Sequence, residues 1–420
     1  MRHLAMLAAR SAWNRRLTLG LTLAAIMLSV ALLLGVERVR HDARETFSQS
    51  VSGTDLVVGA RSGAVQLMLY AVFRIGEATN GIKWQSYRDV AAHPSVAWSI
   101  PLSLGDSHRG YPVLGTSTAY FEHFRYGDAK LLAFASGRPF SALFDVVLGA
   151  DIARELGYRQ GDRIVLSHGT GEIGLAEHAD KPFVVTGILE RTGTPVDRTA
   201  HISLEAMEAI HLDWQGGMPI PGFTIPPEMV RKFDLAPKEI TAALIGLHNR
   251  AAVFGVQRHV NRYPGEPLQA VMPGVALDQL WQTLALAERA MQAVSALVVV
   301  VGLAGLVAVM LSGLNERRRE LAVLRAVGAR PADILALLTV EGLCITLLGA
   351  LGGVVLLSML TWLVGPIAQA EFGVVIRSRL LSVSEWQVLA AVVCAGLAAS
   401  LVPGIRAYRH SLADGLAPRL

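Results

Sequence analysis

NERRRELAVLRAVGARPAD, from Asn315 to Asp333, packs five arginines (Arg317, Arg318, Arg319, Arg325 and Arg330) between two long apolar runs. Each run, Ala293 to Leu314 before it and Ile334 to Val364 after it, is long enough at ~1.5 Å per residue to cross a ~30 Å bilayer core. A charged connection this short between two spans lies at a membrane face. Glu316 to Val327 reads as an amphipathic helix, with Leu321, Leu324 and Val327 three apart on one face and Arg317, Arg318 and Arg319 off it. Gly328 is a stop signal. Pro331 opens the next helix, where its missing N–H costs nothing, and Asp333 suits the positive end of that helix dipole. The expectation is a rigid elbow (315–333) on the cytoplasmic side. Positive-inside topology and lipid headgroups account for the arginines alone, but not for the paired stop and start.

Working outward, residues 294–314 and 334–364 are the second and third spans. Leu277 runs into the second span without a Gly or Pro break, so 277–293 is expected to form a stalk, with Leu277, Leu280, Leu284 and Ala287 on one stripe. In the third span Gly349, Gly352 and Gly353 invite close approach of another helix. Gly365–Pro366 is expected to end it and to open an outer loop, 365–385. A fourth span covers 386–402 and is expected to stop at Pro403–Gly404, leaving a basic tail, 403–420. Toward the N-terminus, 17–36 is an uncharged run of spanning length. Residues 1–16 suit an interfacial helix with Trp13 at headgroup depth. They also resemble the basic start of a signal peptide, but the apolar run that follows exceeds the usual ~7–15 residues of such a signal.

Four spans place both termini and the elbow on one side. Those three segments hold twelve arginines against four acids, a net of +8 that leaves −4 for the remainder of a chain whose total is +4. This is the positive-inside pattern. Basic residues that flank apolar spans, rather than clustering on a folded domain, argue against nucleic-acid binding. Only 17% of residues are charged and 52% are hydrophobic, against ~25% charged in an average soluble domain.

Residues 37–276 form the one large polar region and read as mixed α/β. Strands are expected at Val96–Leu104, Asp145–Leu148, Arg163–Ser167 and Phe183–Leu189. Short helices are expected over Asp151–Leu156, with Gly157 as stop, and over Ser203–Ile210. Ala64–Ile75 is too short to span and reads as a buried helix. Residues 214–227, with four prolines and three glycines, read as an irregular loop. Cys344 and Cys394, the two cysteines, both sit in apolar runs, so this region does without disulfides.

Motifs for catalysis are missing. None of the five lysines follows a glycine, so there is no P-loop for ATP, and neither a G-x-S-x-G elbow nor H-E-x-x-H occurs. Eight histidines (His108, His123, His168, His178, His201, His211, His248 and His259) lie in the later polar region, none spaced as a local ligand pair. No metal site is assigned from spacing, because a site would require convergence in space. Glu341 is the one acid well inside a span. Such acids face a bundle interior and find a partner; a structural hydrogen bond and a proton relay are both open.

The run Glu316, Arg317, Arg319, Glu320, Arg325-Ala326-Val327-Gly328-Ala329-Arg330, Asp333-Ile334, then Glu341, Gly349 and Gly353, resembles the MacB/FtsX-like (LolC/E-like) permeases of ABC transporters. Leu148–Gly149, Leu156–Gly157, Gly161–Asp162 and Phe183–Leu189 are similar to the MacB-type periplasmic core, and the tail resembles the family ending except at Leu412, where proline is common. The resemblance implies an α-helical membrane protein with four transmembrane helices (1+3) and a large mixed α/β periplasmic domain of MacB type, in a bacterial inner membrane with both termini cytoplasmic. It implies mechanotransmission: a separate ABC ATPase grips the elbow through Glu316, Arg317, Arg319, Glu320, Leu321, Leu324, Arg325, Gly328, Arg330 and Asp333, and the periplasmic domain moves to export or extract a periplasmic or lipophilic substrate. Implied partners are that ATPase, a second permease copy or a paralogue, membrane lipids and a periplasmic adaptor or substrate-binding protein. No cofactor is expected in this chain beyond the ATP held by its partner. The alternative is an FtsX-like scaffold that switches a periplasmic partner.

Overall fold

A computed structural model describes residues 16–409 except 77, 79, 170–177, 216, 217, 221, 317 and 373–380. The interfacial helix expected before residue 16 and the tail expected after residue 409 lie outside the described residues. Two compact units emerge: one from the segments before residue 44 and after residue 284, the other from Arg44–Leu284.

The first unit is helical. Its elements are α1 (Arg16–Gln49), which continues into the second unit, α6 (Pro273–Glu316), which starts there, α7 (Arg318–Ala326), α8 (Pro331–Phe372) and α9 (Val383–Arg409). Of these, α1, α6, α8 and α9 are long and apolar enough to cross a membrane. Contacts between them run in alternating directions. The Ser29 hydroxyl donates to the Val298 carbonyl at 3.2 Å and Gln292 reaches Glu37 at 3.5 Å, so α1 and α6 are antiparallel. Glycines set the close approaches. A Cβ on Gly349 would meet Ile26 at 2.6 Å, and one on Gly353 would meet Val30 at 2.8 Å, so α1 and α8 run side by side in one direction. Gly396 abuts Thr346, and Gly404 faces Leu335, making α8 and α9 antiparallel.

Two helix ends differ from expectation. Pro366 lies inside α8 and Pro403 inside α9. A helical proline forfeits one bond and crowds the carbonyl four residues back, here those of Trp362 and Ala399. Ending the helix would open several backbone groups, which in apolar surroundings is the costlier choice.

The second unit is built on one 11-stranded mixed sheet. Its strands are β1 (Leu56–Ala60), β2 (Val96–His108), β3 (Tyr111–Thr116), β4 (Phe134–Gly137), β5 (Asp145–Leu148), β6 (Arg163–Ile164), β7 (Ser167–His168), β8 (Phe183–Leu189), β9 (Ala200–Ser203), β10 (Ala242–Leu247) and β11 (Leu268–Val271). Their order is β11-β1-β10-β2-β3-β9-β5-β8-β4, with β7 paired to β2 and β6 to β8. β9 is parallel to β3 and β8 to β5; the other pairs are antiparallel. Strand alternation divides the core: Val57 joins α2 (Ala64–Ala71) on one face, while Leu56 and Val58 join Val256 and Val260 of α5 (Val253–Asn261) on the other.

Local signals act as expected at α3 (Ala150–Leu156), which ends at Gly157 with φ 73°, and at α4 (Leu204–His211), where the Ser203 hydroxyl accepts from Ala206 N–H. The expected strand 163–167 is split into β6 and β7, and the 214–227 loop opens with a small ribbon, Trp214–Gln215 on Met218–Pro219. The stalk stripe also divides. Leu277 is buried and Leu280 packs on the sheet core, whereas Leu284 and Ala287 are exposed. Phe47 of α1 joins the same core, with its ring 4.3 Å from Phe73 and 5.7 Å from Trp281.

Candidate functional site

Between α6 and α8 lies the short helix α7. After α7 the backbone turns at Gly328, whose φ of 107° suits a residue without Cβ. Gly328 N–H donates to Arg325 and Ala329 N–H to Leu324, closing the helix end. α8 starts with a reciprocal cap: the Asp333 carboxylate accepts from Arg330 N–H at 2.8 Å, and Asp333 N–H donates to the Arg330 carbonyl at 2.9 Å. The apolar stripe is rotated from the expected one. Leu321 packs against the helical core and Ala322 is buried, while Val323 and Val327 are exposed. A three-residue spacing drifts around a helix, so Leu321 and Val327 do not share a face. Leu324 and Arg325 are half-buried and Arg330 is exposed. Arg317 and the side chains of Glu316, Arg319 and Glu320 lie outside the described residues. Glu341 is half-buried on α8 and has a polar partner.

At the opposite end of the helical unit sits a polar collar that sequence reasoning missed. Arg38 of α1 donates to Glu385 of α9 at 2.8 Å, and both side chains are about fully buried, 2% and 1% exposed. Glu385 also accepts from Ser382 N–H at 2.6 Å, and Ser382 Oγ accepts from Glu385 N–H at 3.3 Å. Ser-x-x-Glu before an apolar run is a capping-box signature, so the cap was legible although the arginine partner was not. Arg40, paired to Glu37 at 2.7 Å, continues the collar toward Gln292 of α6.

In the sheet unit the histidines do converge. Asp106 of β2 and His168 of β7 are direct cross-strand partners, and Asp106 follows a bulge at Gly105 that interrupts the β2–β3 register. His211 is the last residue of α4, and His178 lies on the chain returning to β8, held by its N–H on the Leu166 carbonyl. His168 Nδ1 is 3.1 Å from Asp106 Oδ1 and 3.0 Å from His211 Nε2. His211 Nε2 and His178 Nε2 are 3.4 and 4.0 Å from the same carboxylate oxygen. Burial works to raise the Asp106 carboxyl, but hydrogen bonds with His168 and His211 outweigh it and hold the group at about 2. Burial pushes His178 down to about 4. Trp214 walls the cluster, 4.0 Å from the His178 ring. These four positions are no closer than ten residues apart in the chain, so no local spacing signal existed.

Family models match two stretches: a MacB-like periplasmic core domain over residues 19–224 and an FtsX-like permease C-terminal region over 293–412. The chain belongs to the MacB/FtsX-like permease family. The permease is 26% identical over 415 residues to the Macrolide export ATP-binding/permease protein MacB of Nitrobacter winogradskyi, covering 94% of this chain and 57% of that one. It is 22% identical over 223 residues to the Lipoprotein-releasing system transmembrane protein LolC of Xylella fastidiosa, covering 52% of this chain and 48% of that one. The permease thus spans about half the length of the curated relatives it matches. A crystal structure of the periplasmic region of MacB from Actinobacillus actinomycetemcomitans aligns at TM-score 0.32 and 10% identity, over 56% of this chain and 94% of that one.

Proposed function

We propose that this permease is the membrane subunit of a mechanotransmission ABC transporter. A separate ATPase pushes on the α7 elbow, and the push moves the sheet unit to export or extract a periplasmic or lipophilic substrate. The supporting observation is the elbow's construction: α7 is closed at Gly328 and restarted by the Arg330–Asp333 cap, so a force on it is not lost in a loose loop. The continuity of α1 and α6, whose far ends carry Phe47, Leu277 and Leu280 into the sheet core, offers the outward path. The membrane is the bacterial inner membrane, with the elbow and both termini cytoplasmic and the sheet unit periplasmic. A second permease copy or paralogue completes the transporter.

The test is co-purification with a candidate ABC ATPase, followed by ATPase assay. Coupling free energies are ~1–3 kcal/mol, so replacing both Leu324 and Arg325 by alanine is expected to lower permease-stimulated ATPase about tenfold while membrane insertion is unchanged. Full stimulation by that double variant removes the coupling assignment. Separately, protease added to right-side-out vesicles is expected to cut within 44–284, and cleavage there in inside-out vesicles overturns the topology.

A further inference from the structure

We propose that Asp106, His168, His178 and His211 form a binding site for a divalent first-row transition metal, zinc first among them. One ligand atom from each lies within 4.8 Å of all the others. In a tetrahedral zinc site with bonds of ~2.0–2.1 Å, neighbouring ligand atoms stand about 3.3 Å apart. The separations of 3.0, 3.1 and 3.4 Å among Asp106, His168 and His211 match that edge, and the 4.0 Å to His178 closes with a small shift.

The hydrogen-bond geometry favours a cation over a proton-linked cluster. His211 Nδ1 faces the Met207 carbonyl at 2.8 Å, so that nitrogen is the donor and Nε2 is the one directed at the cluster. A backbone carbonyl behind an imidazole is the usual support of a metal-bound histidine. One shared proton between His168 and His211 explains those two rings and nothing else. Among the described residues, neither ring nitrogen of His178 has a hydrogen-bond partner, nor does Asp106 Oδ2, although both residues are fully buried or nearly so. Polar groups buried in this way are normally satisfied, and a metal bound through His178 Nε2 supplies the partner that this nitrogen lacks.

The donor set narrows the ion. Three imidazoles disfavour calcium and magnesium, which take oxygen ligands, and the lack of thiolate disfavours copper(I). The neighbouring positive charge is neutralised, since the buried Lys181 ammonium is held by Asp213 at 2.8 Å and Asp180 at 2.6 Å. His168 and His211 are about a quarter exposed, which leaves a way in for the ion. With four protein ligands the site is of the closed type, joining β2, β7, the end of α4 and the chain leading into β8, rather than a hydrolytic centre with an open position.

The test uses the full-length permease in detergent, stripped with chelator and titrated with zinc against a chromophoric competitor. One zinc per chain is expected, with a rise in unfolding temperature. His168→Ala and His211→Ala are expected to weaken binding by about 100-fold or more, beyond the ~10–100-fold cost of losing an outer-shell partner. His259→Ala, in a ring contact with His93 elsewhere on the unit, is expected to leave affinity unchanged. Two readouts on the wild-type chain do not depend on variants folding. Cobalt(II) should give the intense visible absorption of a tetrahedral site, and zinc should protect His168 and His211 from diethylpyrocarbonate. Absence of saturable zinc binding, unchanged affinity in well-folded His168→Ala and His211→Ala, or equal labelling with and without zinc overturns the site.

Discussion

Glu385→Ala is expected to destabilise the helical unit by about 3–5 kcal/mol, the cost of stranding one member of a buried ion pair. Arg38 and Glu385 are withdrawn from solvent almost completely, so the remaining guanidinium cannot recover its lost partner from water. The same change removes the carboxylate that caps Ser382 N–H at the start of α9, where losing a cap costs a further ~1 kcal/mol. Arg38→Ala should match the ion-pair part of the loss and spare the cap. The double replacement Arg38→Met with Glu385→Leu is expected to recover most of the ion-pair part, because two apolar side chains of similar size leave no buried charge. Titrating helix content with SDS in mixed micelles measures all three. A loss below about 1 kcal/mol for both single variants, the scale of exposed pairs, would show that water reaches the collar.

Gly149→Ala is expected to cost about 3 kcal/mol or more in the sheet unit. Gly149 lies between β5 and α3, and a Cβ there would collide with the carbonyl oxygens of Val196 and Asp197. Those are backbone atoms of a buried 3-10 turn, Pro195–Arg198, in which the Asp197 carboxylate already binds Thr192 and Gly193 N–H. No flexible side chain can swing aside, so the strain goes into the chain itself, at the upper end of overpacking costs. The useful contrast is Gly255→Ala in α5, where a Cβ meets nothing within 4 Å. That change is expected to stabilise by about 0.5–1 kcal/mol, since glycine weakens a helix interior. Thermal unfolding of the intact chain should move in opposite directions for the two variants; a shift of the same sign in both would remove the steric account.

Leu148–Gly149 was visible in the sequence as part of a family resemblance, but the reason for the glycine was not. It depends on a turn about fifty residues later folding against it. The histidines show the same limit more sharply. His168 and His178 were readable only as unpaired polar residues, because their relation to Asp106 and His211 passes through a strand pairing, a bulge and a helix end. The rotation of the elbow's apolar stripe has a different origin: which face of α7 packs inward is set by its neighbours.

Local and one-dimensional physics was enough for the apolar lengths of four helices, for the arginine asymmetry, and for the stop at Gly328 and restart at Pro331 and Asp333. A helix is long or short, capped or uncapped, through residues a few positions apart. Tertiary structure alone decided which groups meet. Arg38 reaches Glu385 across nearly the whole chain, prolines 366 and 403 stay helical, and one aspartate and three histidines face a common point. Those outcomes depend on burial, which sets the cost of an unpaired charge or an open backbone, and burial belongs to no segment read in isolation.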